Sequence, residues 1–163
     1  MDVREFAHGL RSIVLRAVSR ASADAGESQT LDVTIGHGVE RSAVEVLQPF
    51  GLASRAPAGG VVIVLAVGGD TGDLVALPAG MPGLRLGGLA EGEAALYSVD
   101  GSRVHCKVGG VIEIRASSSI VVKVGDAVLE VTADKIKGEV GGSRFVATEG
   151  AAKLVSGDNY LAV

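Results

Sequence analysis

Residues 112–116 read Ile112-Glu113-Ile114-Arg115-Ala116, and the pattern returns as Val122-Lys123-Val124, Leu129-Glu130-Val131-Thr132-Ala133 and Lys135-Ile136-Lys137-Gly138. Successive side chains of a strand point to opposite faces, so each segment puts its aliphatic residues on one side and its charges on the other. Between them stand Gly109-Gly110, Ser117-Ser118-Ser119, Gly125-Asp126, Asp134 and Gly141-Gly142, residues that turn a chain. The stretch reads as short strands in an irregular repeat of roughly seven to ten residues.

A sheet that is apolar on one face must bury that face, and a ribbon of short strands has nothing of its own to bury it against. Ile112, Ile114, Val122, Val124, Leu129, Val131 and Ile136 are each worth roughly 1.5–3 kcal/mol when fully buried, or roughly 10–20 kcal/mol per chain as an upper bound. Docking on a neighbouring domain would suit two strands rather than six, and a one-chain solenoid wants a more regular rung and a cap. Three copies wound about a common axis satisfy all seven residues and pair the open strand edges. At ~4.8 Å between strands, six strands make a prism of roughly 30 Å. The trimer core is therefore expected at those seven positions, in an intertwined β-helix spanning 100–147 with a C-terminal tip at 148–163. The segment after Gly141, with Phe145, Leu154 and Tyr160, reads as a departure from the repeat.

N-terminal to this ribbon, residues 28–99 hold short β-like runs broken by Gly and Pro. They are Leu31–Ile35, Val44–Leu47, Val61–Val67, Leu74–Leu77 and Ala94–Tyr97. Val61–Val67 is apolar on both faces and reads as a central strand. Five strands with no helix between them suggest a small barrel of the oligonucleotide/oligosaccharide-binding (OB) type. Residues 1–27 contain no Pro, and Phe6, Leu10, Ile13, Val14, Ala17 and Val18 recur at helical spacing. A short amphipathic helix is expected there, packed on its own domain or on a neighbouring subunit. The whole reads as an all-β protein with a short helical N-terminus.

Composition agrees with crowding about an axis, since 24 glycines accompany only five aromatic residues among 163. Net charge is −4, and residues 28–99 carry three basic against seven acidic side chains, which leaves no basic stripe for phosphates and disfavours nucleic acid as a partner. The single Cys106 excludes an intrachain disulfide and fits assembly in a reducing cytoplasm. The longest apolar run, Val61–Val67, falls far short of the ~20 residues that span a bilayer, and no export signal is legible.

The ordered succession Gln48-Pro49-Phe50-Gly51-Leu52-Ala53-Ser54-Arg55-Ala56-Pro57-Ala58-Gly59-Gly60, an apolar strand, and Gly68-Gly69-Asp70 carries a resemblance. It continues through Leu89–Tyr97, Asp100–His105 and Ile112-Glu113-Ile114. Over roughly residues 30 to 135 the chain resembles the baseplate assembly protein V, or Mu-like central spike, family of contractile-tailed phages. That resemblance implies a homotrimer with an OB-fold collar and a β-helical shaft, held by a baseplate hub protein. It further implies a virion structural role, transient contact with the host outer membrane as the contracting sheath drives the spike through, and room for a separate tip-capping protein. Several relatives bind iron through a His-x-His pair near the apex. His8, His37 and His105 are isolated here, so neither that metal site nor any other cofactor is expected. Relatives often read Ser-Arg-Pro-Pro where this chain has Ser54-Arg55-Ala56-Pro57, a change confined to a loop.

Catalytic readings fare poorly. Glu91 and Glu93 have the identity of a glycosidase pair but lie in a Gly-rich turn, where solvated turn residues are the simpler reading. Gly68–Asp73 lacks the Lys-Ser/Thr of a P-loop and the spacing of an EF-hand, and reads as a turn between barrel strands. His105 and Cys106 are strand neighbours on opposite faces, with Cys106 read as a packed thiol. No enzymatic activity is expected. The competing function is an OB-type binding module with a β-rich trimerisation tail.

Overall fold

The computed structural model describes residues 13–156 and 159–162, and among them the protein is all-β, with 3-10 turns at Gly36–Gly38, Val67–Gly69 and Pro82–Leu84 as its only helical pieces. The chain divides into two compact units between Arg85 and Leu86.

The first unit is a closed barrel of β1 (Val14–Ala23), β2 (Thr30–Ile35), β3 (Val39–Val46), β4 (Val61–Ala66) and β5 (Leu74–Ala76), in the order β1-β2-β3-β5-β4. Only β3 and β5 run parallel. An OB-like barrel is thus present, with a different fifth strand from the one expected. Ala94–Tyr97 pairs outside the barrel, and Val14–Ala23, read as helix from its spacing, closes it by pairing with both β2 and β4. The remaining helical expectation, residues 1–12, lies outside the described residues. Over β1 the inward Ala17 and Ser19 are buried while Arg16, Val18 and Arg20 are exposed, a period of two. Leu-Arg-Ala-Val-Ser-Arg-Ala satisfies both periods, and the need to close a barrel edge decides between them.

The core consists of Ala17, Leu31, Val33, Val44, Val46, Val62, Val64, Ala66, Leu74 and Ala76, with no aromatic ring. Small side chains let the barrel wall come close, and Gly60 marks the tightest point. A Cβ there would stand 3.0 Å from Ala79 Cβ, 3.1 Å from Met81 Sδ and 3.2 Å from Ser19 Oγ. The buried Ser19 hydroxyl accepts the Gly60 N–H at 3.0 Å, and the Ser19 N–H donates to the Gly60 carbonyl at 2.8 Å. Beyond Ser19 the β1/β2 register slips by one residue, a bulge that bends β1 around the barrel.

The second unit contains two sheets. The first pairs β6 (Ala94–Tyr97), β7 (Arg103–Lys107) and β8 (Val111–Arg115) in chain order. The second is a six-stranded antiparallel meander of β9 (Ser119–Val124), β10 (Ala127–Thr132), β11 (Lys135–Val140), β12 (Ser143–Thr148), β13 (Ala151–Ser156) and β14 (Asn159–Ala162). Strand starts fall every eight residues, so the repeat is regular where the sequence was read as irregular. The segment after Gly141 continues the repeat instead of departing from it. Gly125 and Gly141 open their two-residue turns at positive φ, the backbone such hairpins demand.

Candidate functional site

Cross-strand register decides which residues share a face. In the meander Leu129 lies opposite Val122 and Gly138, Gly138 opposite Phe145, and Phe145 opposite Leu154. A second row joins Ile120, Val131, Ile136, Ala147 and Ala152. One face of β9 to β13 therefore carries no charged side chain. The opposite face holds Lys123, Glu130, Lys137, Glu139, Arg144 and Lys153. The three-stranded sheet is built the same way, with Leu96 opposite Val104, Val104 opposite Ile114, and Cys106 between Ala94 and Ile112.

Of the seven residues expected in a trimer core, six are exposed in the single chain: Ile112 by 68%, Ile114 by 55%, Val122 by 53%, Val124 by 76%, Leu129 by 45% and Ile136 by 46%. Val131 is half-buried. The apolar strip is not folded away within one chain. The sheet does pair its own strands consecutively, however, so what lacks a partner is the face and not, as the sequence suggested, the row of strand edges. Val104, Leu96, Phe145 and Leu154 extend the strip beyond the seven and were legible as alternation once the eight-residue period is recognised.

The charged face is internally paired. Glu113 accepts from Arg103 Nη2 at 2.7 Å and from Lys107 Nζ, and those two bonds, Lys107 first, pull its carboxyl down to about 2. Glu130 pairs with Lys135 at 3.3 Å, and Glu139 with Lys137, whose hydrogen bond lowers the Glu139 carboxyl. Asp100 is held well below the usual carboxylate range by bonds from the Ser98 hydroxyl, the Ser102 N–H, and the Ser117 and Ser102 hydroxyls. This cluster ties the β6–β7 turn to the segment that leaves β8.

Glu93 is no solvated turn residue. Its carboxylate takes N–H bonds from Ala90 at 3.1 Å and Val108 at 3.3 Å and meets His105 Nε2 at 3.0 Å, which lowers its pKa, the Ala90 bond most. Glu91 is exposed and takes no part in this cluster. His105 is buried against Glu93 while Cys106 is exposed on the other face, so the thiol is not packed in the single chain. Gly68-Gly69-Asp70 forms the turn from β4 to β5, where the Asp70 carboxylate caps the Gly72 N–H at 2.7 Å. His37 sits in the β2–β3 turn, and His8 lies outside the described residues. Among the described residues no three His, Cys, Asp or Glu side chains are grouped to hold a metal ion.

The barrel has a depression of about 240 Å³ beside β3 and the start of β5, lined by Arg41, Ser42, Glu45, Gly72 and Asp73 among others. Its lining contains two acids, one arginine and no ring, whereas single-strand binders offer stacking platforms in a basic groove.

Residues 16–82 match the family model described as Bacteriophage Mu Gp45, N-terminal. The matched span runs from β1 past β5 and so coincides with the barrel. The match covers less than half of the chain and agrees with the resemblance of the sequence to the Mu-like baseplate assembly and central spike family. No curated protein matches the chain.

Proposed function

We propose, from a barrel that matches the Mu Gp45 family, that this chain is the central spike of a contractile tail baseplate, working as a non-enzymatic homotrimer. The family match supports the coarser part, a phage baseplate-associated structural protein of the virion tail. One observation carries the finer part: a charge-free face repeated over β9 to β13 lies exposed while the barrel core is complete without it. Three such faces turned inward about an axis bury one another and leave three charged walls outside. Because strands pair along the chain, each copy supplies a wall, and the natural twist of the sheets winds the three walls into a β-helical shaft.

In this proposal the barrel is the collar seated on a baseplate hub protein, the shaft is the part driven through the host outer membrane, and a separate cap protein has its place at the tip. Assembly takes place in the host cytoplasm. A shaft with paired charges outside has little long-range preference for a surface, which suits a rod that pierces and does not adhere.

Light scattering over a range of concentrations tests the trimer, with a persistent mass near three chains expected. Cys106 offers an internal reporter. It lies on the apolar face between Ala94 and Ile112 and is exposed in one chain, so assembly shields it from a thiol reagent and denaturant releases it. A dilution-sensitive monomer with a freely reactive thiol rejects the proposal.

A further inference from the structure

Gly138 stands in the middle of β11, on the apolar face, with no backbone reason to be glycine. Its φ lies outside the left-handed region, and a Cβ added there would meet nothing within 4 Å. A strand-interior glycine sacrifices conformational entropy and packs no side chain, and it often marks a close approach by something else. The ring of Phe145 is its direct cross-strand partner, yet it does not fill the space. Along the row through the strand centres the side chains run Val122, Leu129, Gly138, Phe145, Leu154. A vacancy thus lies beside the one ring of the row.

We infer that the vacancy is filled by a second copy of this chain, and that Gly138 and Phe145 together form an aromatic lock on the axis. This rests on the trimer proposed above. The central row of each wall lies nearest a threefold axis, where three phenyl rings overfill one strand layer of ~4.8 Å. Three glycines leave the next layer empty, and the rings lean into it. Two layers then hold three rings at interior density, as close packing requires. The pairing also fixes height, since sliding one wall along the axis would drive rings against Leu129 or Leu154. A foreign partner is disfavoured because the face offers no charge to select one and hydroxyls only toward its edge, as at Ser143 opposite Val140, whereas copies of the same face supply ring and gap in register.

The test is a swap, with trimer mass and thermal midpoint read for the full chain. Gly138→Phe alone puts six rings into two layers, and Phe145→Gly alone leaves none. Each is expected to lower the midpoint of the trimer or to abolish it, and Gly138→Phe with Phe145→Gly together is expected to regain much of the parent midpoint. Within one chain an aromatic residue in place of a strand glycine should only help, because it has room and better β-propensity. A Gly138→Phe trimer as stable as the parent, or a swap no better than the single variants, overturns the lock while leaving the spike intact. A parent chain that is not trimeric overturns both.

Discussion

Val124→Asp and Lys123→Asp place the same carboxylate on neighbouring residues of β9, on opposite faces of the sheet. Val124 is 76% exposed in the single chain and Lys123 is exposed as well, so neither change removes much packing from the monomer, and surface substitutions of that kind stay within about 0.5 kcal/mol. In the proposed trimer the two diverge. Val124→Asp forfeits roughly 1.5–2 kcal/mol of aliphatic burial per copy. It also forces an unpaired carboxylate out of water, a further several kcal/mol each. Summed over three copies, the loss exceeds about 10 kcal/mol, on the scale of a domain's whole stability.

Lys123→Asp alters net charge by −2, twice the change at Val124, yet stays in water and should leave the trimer intact. Light scattering reads the outcome and circular dichroism confirms that strand content survives. Expected is a monomeric Val124→Asp chain beside a trimeric Lys123→Asp chain. Equal behaviour of the two, in either direction, refutes the assignment of faces.

Further outcomes follow from the barrel and from the charged walls. Gly60→Val should destabilise the barrel by roughly 1–3 kcal/mol through overpacking against Ala79 and Met81. Ser19→Ala should cost about 1–3 kcal/mol by stranding the buried Gly60 N–H, and at about 4–8 °C per kcal/mol for a domain of this size both shifts are visible in a thermal scan. Glu93, Asp100, Glu113, Asp134 and Glu139 all have lowered folded-state pKa values, so their contribution is present above the ordinary carboxylate range near 4 and is lost as pH falls through the folded values, to about 2 for Glu113. Thermal midpoints should therefore hold level from pH 7 to about 5 and drop below that, and Asp100→Asn should blunt the drop; a midpoint that rises on acidification contradicts it.

Much of the second unit was legible because alternation is a local signal. Glu113, Lys123 and Glu130 each sit between aliphatic neighbours, and no distant contact is needed to know that the two sets face apart. Barrel closure was less legible for the opposite reason. Whether Val14–Ala23 is helix or strand depends on β2, the next strand along the chain, and on β4, which starts only at Val61, offering free edges, and its own spacing permits both. Glu93 was misread as solvated because its partners, the Ala90 and Val108 amides and His105, gather only when the β6–β7 sheet forms.

The integrity of the apolar face depends less on the strands than on the turns between them. Each strand from β9 to β13 has six residues and each turn among them has two, so a residue and its cross-strand partner always fall on the same side, and five separately alternating strands sum to one charge-free face. A turn one residue longer or shorter would turn over every strand beyond it, because the side-chain period is two. Residue identity at Gly125 and Gly141 serves the same end, since a left-handed turn residue keeps the loop at two. The barrel needs no such regularity. Its strands vary from three to ten residues, and β1 carries a bulge, because a closed core is satisfied locally by whatever fills it. In the proposed trimer, a face covered by other copies must instead present the same geometry at every level, and an even eight-residue period with ring and gap on the centre line meets that requirement.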